Sequence, residues 1–511
     1  MGEQLDSLKP QGGLGKVAPS PLLFVLQVSV LSFYLDQKLV DQEILGLNIA
    51  RGVKNVNHTL FADDTLLLGA AFARSASSFK EVLDDYSEAT GSRLNRGKCK
   101  IFCWNILTST LSSISRIPGF TASLNWSSFT YLGLPICRKL AYSKDWVPLL
   151  DKFKAKIQAW GFSWLNLAGK TVLIKSFLCS LPIFQFSVIL APSGIIKKME
   201  AFIRKFCWKG GNHNDRKIPL VSWEKICKPQ SEGGLNFKDL SLQNIAMGAK
   251  IFWRVIGSHP GWAQRALWRK YFRGKRQRCL DAPLPTSGSQ LIKLCQKVVP
   301  LIKDRAFWIL GNGKDCRIWE DNIMMNPPLS SLSSLQPLRL WMNNAGCNSL
   351  WDISQWEGRS WLRWRLPPVP PELTQARDQF LVSLNGMASL SMGKKDARGW
   401  GAAPGLYTVA QGYKSLQMRP HVPPNPAVWN GIWNVKTTPK VEAFCWLLCH
   451  NAILTIDRLQ KKGFQGPSRC HLCCKNEESA QHIMLDCNYS KKIARSLEFL
   501  AIRFYTTHDY T

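Results

Sequence analysis

Two short stretches of this 511-residue chain have the residue types and spacing that metal chemistry needs. The first is the carboxylate pair Asp63-Asp64, flanked by Thr59-Leu60-Phe61 on one side and Thr65-Leu66-Leu67-Leu68 on the other. Adjacent aspartates on a rigid turn suit Mg2+, which keeps waters and substrate oxygens and takes only one or two protein carboxylates. Two such ions can activate a hydroxyl and neutralise leaving phosphates. Asp-Asp is also ordinary turn chemistry, so the pair alone decides nothing. The second stretch is Cys470-x2-Cys473 followed by His482-x4-Cys487. Thiolates and an imidazole in two close pairs present four ligands suited to a tetrahedral Zn2+. All four positions are filled, so the pattern predicts a closed structural site rather than a catalytic one. Cys474 stands beside Cys473 and could take its place.

The elements that must hold these residues are partly readable. Asn57 to Gly69 reads as a hairpin of two short strands with Asp63-Asp64 at its tip. A helix follows, with Ser78 and Glu81 at capping-box spacing. Its Phe79, Val82, Leu83 and Tyr86 recur at helical intervals, and Gly91 ends it. Upstream, Pro21 opens an apolar helix that runs to about Asp41. From about Tyr142 to Lys275 the pattern is mostly helical, with loops at Pro182, Pro192, Gly210-Gly211 and Gly233-Gly234. Residues 281–300 and 325–350 show little pattern, and Pro367–Pro371 and Pro420–Pro426 read as stiff connectors. A helix around Glu442 to His450 leads into the Cys/His cluster.

Composition narrows the function classes. Hydrophobic residues make up 45% of the chain, enough for sizeable cores, which excludes a disordered tail. Lys and Arg total 66 against 35 Asp and Glu, a formal charge of +31. Between Arg138 and Arg278 there are 27 basic residues and 7 acidic ones, interleaved with Trp and Phe. That mixture suits a surface that follows a phosphate backbone, and it also describes a solvated basic face. The apolar run Pro21–Leu35 is broken by Gln27, Ser29 and Ser32 and is shorter than the roughly 20 residues a membrane span needs. It reads as a buried helix and not as a signal peptide. The expected setting is therefore intracellular, nucleus and/or cytoplasm, not secreted, with reduced cysteines and no membrane partner.

With these residues in view, a family resemblance emerges. Phe61-Ala62-Asp63-Asp64-Thr65 resembles the aromatic-Ala-Asp-Asp signature of reverse transcriptases, in the form found in non-LTR (LINE-type) retrotransposons of plants. Further blocks follow in that family's order. They begin with Gly91, Leu94, Asn95, Lys98 and Cys99, then Tyr131-Leu132-Gly133-Leu134-Pro135-Ile136. Ala168-Gly169-Lys170 with Leu173-Ile174-Lys175-Ser176 comes next, then Phe206-Cys207-Trp208-Lys209-Gly210. Trp223-Glu224-Lys225-Ile226-Cys227 ending in Gly233-Gly234-Leu235, and Gly311-Asn312-Gly313 with Trp319 and Asp321, complete the series. The lead-in to the Cys/His cluster resembles the zinc-binding domain that follows the polymerase in the same elements. It comprises Trp429 to Trp433, Pro439-Lys440-Val441, Phe444-Cys445-Trp446, Asn451-Ala452 and Asp457-Arg458-Leu459, with Glu478-Ser479 just before His482.

The resemblance implies an α+β fold. Residues 1–136 would be a partial right-hand polymerase palm, a β-hairpin plus helices. Residues 137–280 would be a basic, mostly α-helical thumb/connector, 281–404 a linker of irregular pattern, 405–490 a small zinc-binding domain and 491–511 a tail. It also implies an RNA-directed DNA polymerase working by a two-Mg mechanism. Asp63 and Asp64 would bind Mg2+, and Lys98 would sit near the incoming nucleotide's phosphates. Lys170, Lys175, Arg204 and Lys205 would lie toward an RNA template and an RNA–DNA or DNA duplex, although exposed helix-face charges explain such residues equally well. Zn2+ would be structural.

Departures from the family pattern set the expectation for activity. The earlier palm Asp has no counterpart among Glu3, Asp6, Asp36, Asp41 and Glu43, and the fingers are absent. The family's Gln-Gly-Asp-Pro-Leu-Ser-Pro appears as Gly15-Lys16-Val17-Ala18-Pro19-Ser20-Pro21. Without half of the metal clamp, positioning and charge neutralisation fail, and those carry most of phosphoryl-transfer catalysis. A truncated polymerase, inactive alone, is therefore expected, with deoxynucleotides bound only if the palm is completed. The alternatives are a non-catalytic nucleic-acid clamp made of the basic helices and the zinc module, and a remnant that does not fold as a unit.

Overall fold

The computed structural model describes residues 21–138, 143–160, 165–209, 219–257, 261–272, 285–286, 288–323, 328–385, 389–401, 406–417, 426–435 and 437–496. The Gly15–Ser20 stretch, the Gly210-Gly211 loop and the prolines from Pro420 to Pro424 lie outside them. The fold is mixed, with many helices and small two-stranded sheets. Its contacts divide into two compact units, Met1–Asp145 with Gly248–Thr408, and Trp146–Met247 with Val409–Thr511. No helix among the described residues is long and apolar enough to cross a membrane.

The first unit begins with α1 (Pro21–Val40), β1 (His58–Phe61), β2 (Asp64–Leu67) and α2 (Ala73–Thr90). β1 and β2 form the expected hairpin, with Phe61 opposite Asp64 and Ala62-Asp63 as its two-residue turn. Leu31 and Leu35 of α1, Leu67 of β2 and Phe79, Val82, Leu83 and Tyr86 of α2 make the core beneath it. Two details depart from the sequence reading. α1 is not fully buried: Val25, Leu26, Val30, Phe33, Tyr34 and Val40 are exposed, because the helix is apolar all round and only its Leu31/Leu35 stripe meets this core. α2 starts five residues before Ser78, so the Ser78 hydroxyl bonds back to the Arg74 carbonyl instead of capping an end. Gly91 does end α2, at φ +69°.

Next come β3 (Lys100–Phe102), α3 (Thr108–Arg116), β4 (Thr121–Ser123), β5 (Ser128–Tyr131) and β6 (Leu134–Cys137). β3 and β4 pair in parallel across α3, and β5 and β6 form a second hairpin. The turn of that hairpin, Leu132-Gly133, has φ +50° and +76°, the doubly positive geometry that matches strand twist.

The span 281–404, read from sequence as an irregular linker, holds a hydrophobic core of its own. Trp308, Cys316, Ile318, Trp319, Leu338, Met342, Trp364 and Phe380 are all buried in it. Its signal was hidden because the apolar residues come from short elements of mixed type rather than from one long periodic run. A buried carboxylate organises the loops. Asp396, fully buried, accepts hydrogen bonds from the backbone N–H groups of Gly311 (2.7 Å), Gly313 (2.8 Å) and Asp315 (2.9 Å). A Cβ on Gly311 would lie 2.4 Å from the Lys395 carbonyl carbon, and Gly313 sits at φ +76°, so both glycines of Gly311-Asn312-Gly313 are required by this cradle. Asp321 accepts from the Arg317 N–H at 2.8 Å and lies 3.9 Å from Arg398.

In the second unit, helices Val147–Ala159 and Ser193–Lys209 pack together, with Phe153, Ile195, Met199, Ile203 and Phe206 buried. Asn244, 1% exposed, staples the loop between Phe186 and Ala191 by accepting from the Ala191 N–H and donating to the Phe186 and Ile189 carbonyls. Gly233 and Gly234 close a turn that no other residue fits. Gly233 has φ +83°, and a Cβ on Gly234 would lie 1.8 Å from the Lys228 carbonyl oxygen.

The Asp396 cradle gives a direct test of the unexpected core. Asp396→Ala leaves two buried N–H donors and a part-buried one without their charged acceptor and should cost on the order of 3 kcal/mol. Urea unfolding followed by tryptophan fluorescence should show a clear drop in midpoint; a midpoint equal to that of the parent chain contradicts the assignment.

Candidate metal centre

Cys470, Cys473, His482 and Cys487 converge in the structure, with one ligand atom from each lying within 4.8 Å of the others. Among the described residues this is the one group of three or more such side chains placed to hold a metal. Tetrahedral bonds of about 2.3 Å to sulfur and 2.0 Å to nitrogen put ligand atoms roughly 3.5–3.8 Å apart, inside that limit. Cys470 and Cys487 are fully buried and His482 is 7% exposed, so the centre is shielded as a structural site should be.

The local chain explains how the ligands meet. An isolated antiparallel bridge, Arg469 to Glu477, closes the loop that carries the first pair, and the Cys470 N–H donates to the Asn476 carbonyl at 2.7 Å. Cys473 is approached by the backbone N–H groups of Asn476 and Lys475, which pull its thiol down to about 6; His482 Nε2, 3.3 Å away, adds to the effect. Burial pushes the Cys470 thiol up. The second pair is set by a single wide turn, His482–Asp486, with Cys487 just beyond it. The Ser479 hydroxyl accepts from the His482 N–H at 3.1 Å, and the Glu478 carboxylate accepts from the Ile456 N–H at 3.2 Å. Cys474, the sequence alternative to Cys473, is exposed at φ +54° and its thiol turns to the His471 carbonyl, so it stays outside the cluster.

Sequence reading missed the contact that seats this region. The Gly233 carbonyl accepts from Trp446 Nε1 at 2.8 Å and from His450 Nε2 at 2.6 Å. The second bond fixes the proton of His450 on Nε2. Trp429 and Trp446 flank the His450 ring at 4.8 and 5.0 Å between centroids. Burial lowers the pKa of His450, against the pull of the Gly233 carbonyl. A Gly-Gly turn and a Trp-x3-His pair on a helix were both visible as residues, but nothing in either stretch indicates that they pair 213 residues apart.

The other predicted site residues fall elsewhere. Asp63 and Asp64 are half-buried at the hairpin tip, and Ala62 before them has φ +51°, a left-handed value that costs a non-glycine residue energy. The Tyr131 hydroxyl shares a 2.8 Å hydrogen bond with the Thr59 hydroxyl, tying the second hairpin to β1 of the first. Lys98 is exposed at the end of a turn whose Asn95 side chain accepts from the Gly97 and Lys98 N–H groups. Lys170 departs from the expected surface position: it is 8% exposed, close enough to oppose the burial that pushes the Cys207 thiol up to about 12. Lys175 and Lys205 are half-buried, burial lowers the pKa of Lys175, and Arg204 lies 5.6 Å from the Trp223 ring centre. Exposed lysines on these helices include Lys152, Lys154 (3.0 Å from Asp151), Lys156, Lys197 and Lys198, none of them singled out from sequence.

Comparison with known proteins bears on this geometry. Residues 407–493 match the family model described as zinc-binding in reverse transcriptase. This match points to a reverse-transcriptase-family origin. The chain is also similar to an Arabidopsis thaliana protein provisionally named a ribonuclease H protein, at 25% identity over 358 residues, 69% of this chain and 56% of that protein. It thus spans little more than half of that relative. An uncharacterized mitochondrial protein of Arabidopsis thaliana is 28% identical over 156 residues, 30% of this chain and 99% of that protein. The matched domain and the Cys/His cluster together support a structural Zn2+ held by Cys470, Cys473, His482 and Cys487.

The protein purified without chelator should carry about one zinc per chain, as a closed four-ligand site implies. Cys470→Ser should remove it and lower the melting temperature. Metal analysis that finds far less than one equivalent, or no loss in Cys470→Ser, overturns the assignment.

Proposed function

We propose that the chain derives from the RNA-directed DNA polymerase of a LINE-type retroelement, with β1 and β2 the remnant of its palm and the basic helices of the second unit its thumb. The observation that carries this reading is the carboxylate turn: Asp63 and Asp64 stand at the tip of a two-residue hairpin whose Ala62 is held at φ +51°. A positive φ at that position suits the twist of a two-residue hairpin, and the turn it makes presents both carboxylates together. The Tyr131–Thr59 hydrogen bond supports the reading further, since it ties the Tyr131–Ile136 block to the strand that leads into Phe61–Thr65.

The donor set suits Mg2+ in type and falls short in number. Two carboxylates are hard oxygen ligands, and bound Mg2+ would supply hydroxyl activation and phosphate neutralisation. Among the described residues no third carboxylate joins Asp63 and Asp64 to make a group that could hold a metal. The role of this chain's own residues is then to position and partly neutralise, not to complete a two-metal clamp. Residues 1–511 by themselves are read as catalytically silent.

A second reading, nucleic-acid binding without catalysis, is favoured by the exposed lysines Lys152, Lys154, Lys156, Lys197 and Lys198 on two helices that pack together. Affinity led by such cations must fall as salt rises.

Two measurements test these readings. Primer extension on an RNA template with Mg2+ should give little or no product from the 511-residue chain; extension that Asp63→Asn abolishes contradicts the silent palm. Binding of a labelled RNA–DNA duplex should weaken by at least about tenfold between 50 and 200 mM salt. Binding indifferent to salt contradicts the basic clamp.

A further inference from the structure

The first unit contains a half-open cleft of about 1040 Å3 that belongs neither to the carboxylate turn nor to the zinc cluster. We propose that this cleft binds single-stranded nucleic acid, taking unpaired bases on an apolar floor and backbone phosphates on a basic rim. The inference rests on the nucleic-acid reading above and gives it a location in the first unit, apart from the second unit's exposed lysines and the zinc module.

The floor is formed by Ile309, Leu310 and the exposed Leu406 over Trp253 and Tyr407, which are 6% and 4% exposed with ring centres 6.2 Å apart; Trp400, buried behind the lining, is edge-on to Tyr407 at 4.9 Å. Lys250 and Arg254, one helical turn apart on the helix Leu240–Ile256, form one side of the rim. Lys394 and Lys395 form another. All four of these cations are exposed.

Charge and rigidity both favour an anion here. Asp396 is the one acid among the lining residues, and it does not neutralise the rim: it is fully buried and its oxygens accept the three N–H groups of the Gly311–Asp315 loop. That cradle also fixes the chain on which Lys394 and Lys395 stand. Immediately after it, Ala397–Trp400 pairs antiparallel with Ala306–Ile309. Arg398 is part of the wall, lying 4.1 Å from the Trp308 ring centre and 3.9 Å from Asp321. The rim is therefore held in place before any ligand arrives, which lowers the cost of binding.

The class of anion follows from the floor. A duplex keeps its bases stacked inside and offers only backbone, which would leave the apolar floor unused. Unpaired bases bring flat apolar faces and one phosphate per step, the combination that clefts with aromatic walls and cationic rims accept. An acidic peptide would satisfy the rim alone.

The experiment uses the whole chain and a 5′-fluorescein dT12 strand, followed by anisotropy at several salt concentrations. Lys394→Glu with Lys395→Glu should weaken strand binding by at least about tenfold and reduce the salt slope by more than about one phosphate's worth. Arg359→Glu with Arg363→Glu, an equal charge change at exposed positions of the first unit that do not line the cleft, serves as the control. If both double variants lose the same amount, net charge explains the effect and the cleft proposal is overturned. It is equally overturned if the Lys394/Lys395 variant binds within twofold of the parent, or if a poly-Glu peptide of matched charge displaces the strand as well as unlabelled dT12 does. A strand carrying 5-iodouracil should, on irradiation, crosslink to peptides containing Trp253 or Tyr407; crosslinks confined to other peptides also contradict it. A parent chain that binds no nucleic acid of any kind would instead overturn the nucleic-acid reading itself.

Discussion

The carbonyl oxygen of Gly233 receives two side-chain donors, Trp446 Nε1 and His450 Nε2, and much of the second unit is arranged so that it can. The turn must place that carbonyl outward at φ +83°, with Gly234 pressed against the Lys228 backbone, and only glycine meets either condition. Trp429 then covers the turn and flanks the histidine. Both bonds are at least half-buried, where an unmet carbonyl or indole N–H costs more than a made hydrogen bond returns. Two distant segments, one resembling a polymerase thumb and the other matched as a zinc-binding domain, are thereby parts of one compact unit.

The zinc cluster and the carboxylate turn represent opposite outcomes of the same kind of spacing argument. At Cys470, Cys473, His482 and Cys487 the ligands converge, and their neighbours hold them: backbone N–H groups at Cys473 and the Ser479 hydroxyl at His482. At Asp63 and Asp64 the turn is formed and strained, yet no further carboxylate of the described residues comes near enough to share a metal. One site carries its complete ligand set on a loop and a turn 18 residues long, from Cys470 to Cys487.

What was legible in the sequence follows the same division. The hairpin at Phe61–Asp64, the stop at Gly91 and the helix before the zinc cluster were all readable, because alternation, a positive-φ glycine and a short periodic run are local signals. The start of α2 was misplaced, since a Ser/Glu pair at capping distance occurs equally well inside a helix, where Ser78 bonds back one turn. The core between residues 281 and 404 was invisible because Asp396 and the Gly311–Asp315 loop it organises lie more than 80 residues apart. Lys170 was placed toward a duplex by family resemblance, and a sequence match does not report burial, which leaves it 8% exposed.

The central claim is that the C-terminal part of this protein is a closed zinc module of three sulfurs and one nitrogen, of reverse-transcriptase type, built on the Gly233 turn. X-ray absorption at the zinc edge tests it most directly. The predicted spectrum has three Zn–S distances near about 2.3 Å and one Zn–N distance near about 2.0 Å. A shell of four sulfurs, which would bring Cys474 in for His482, or a shell with oxygen ligands from water, would contradict it.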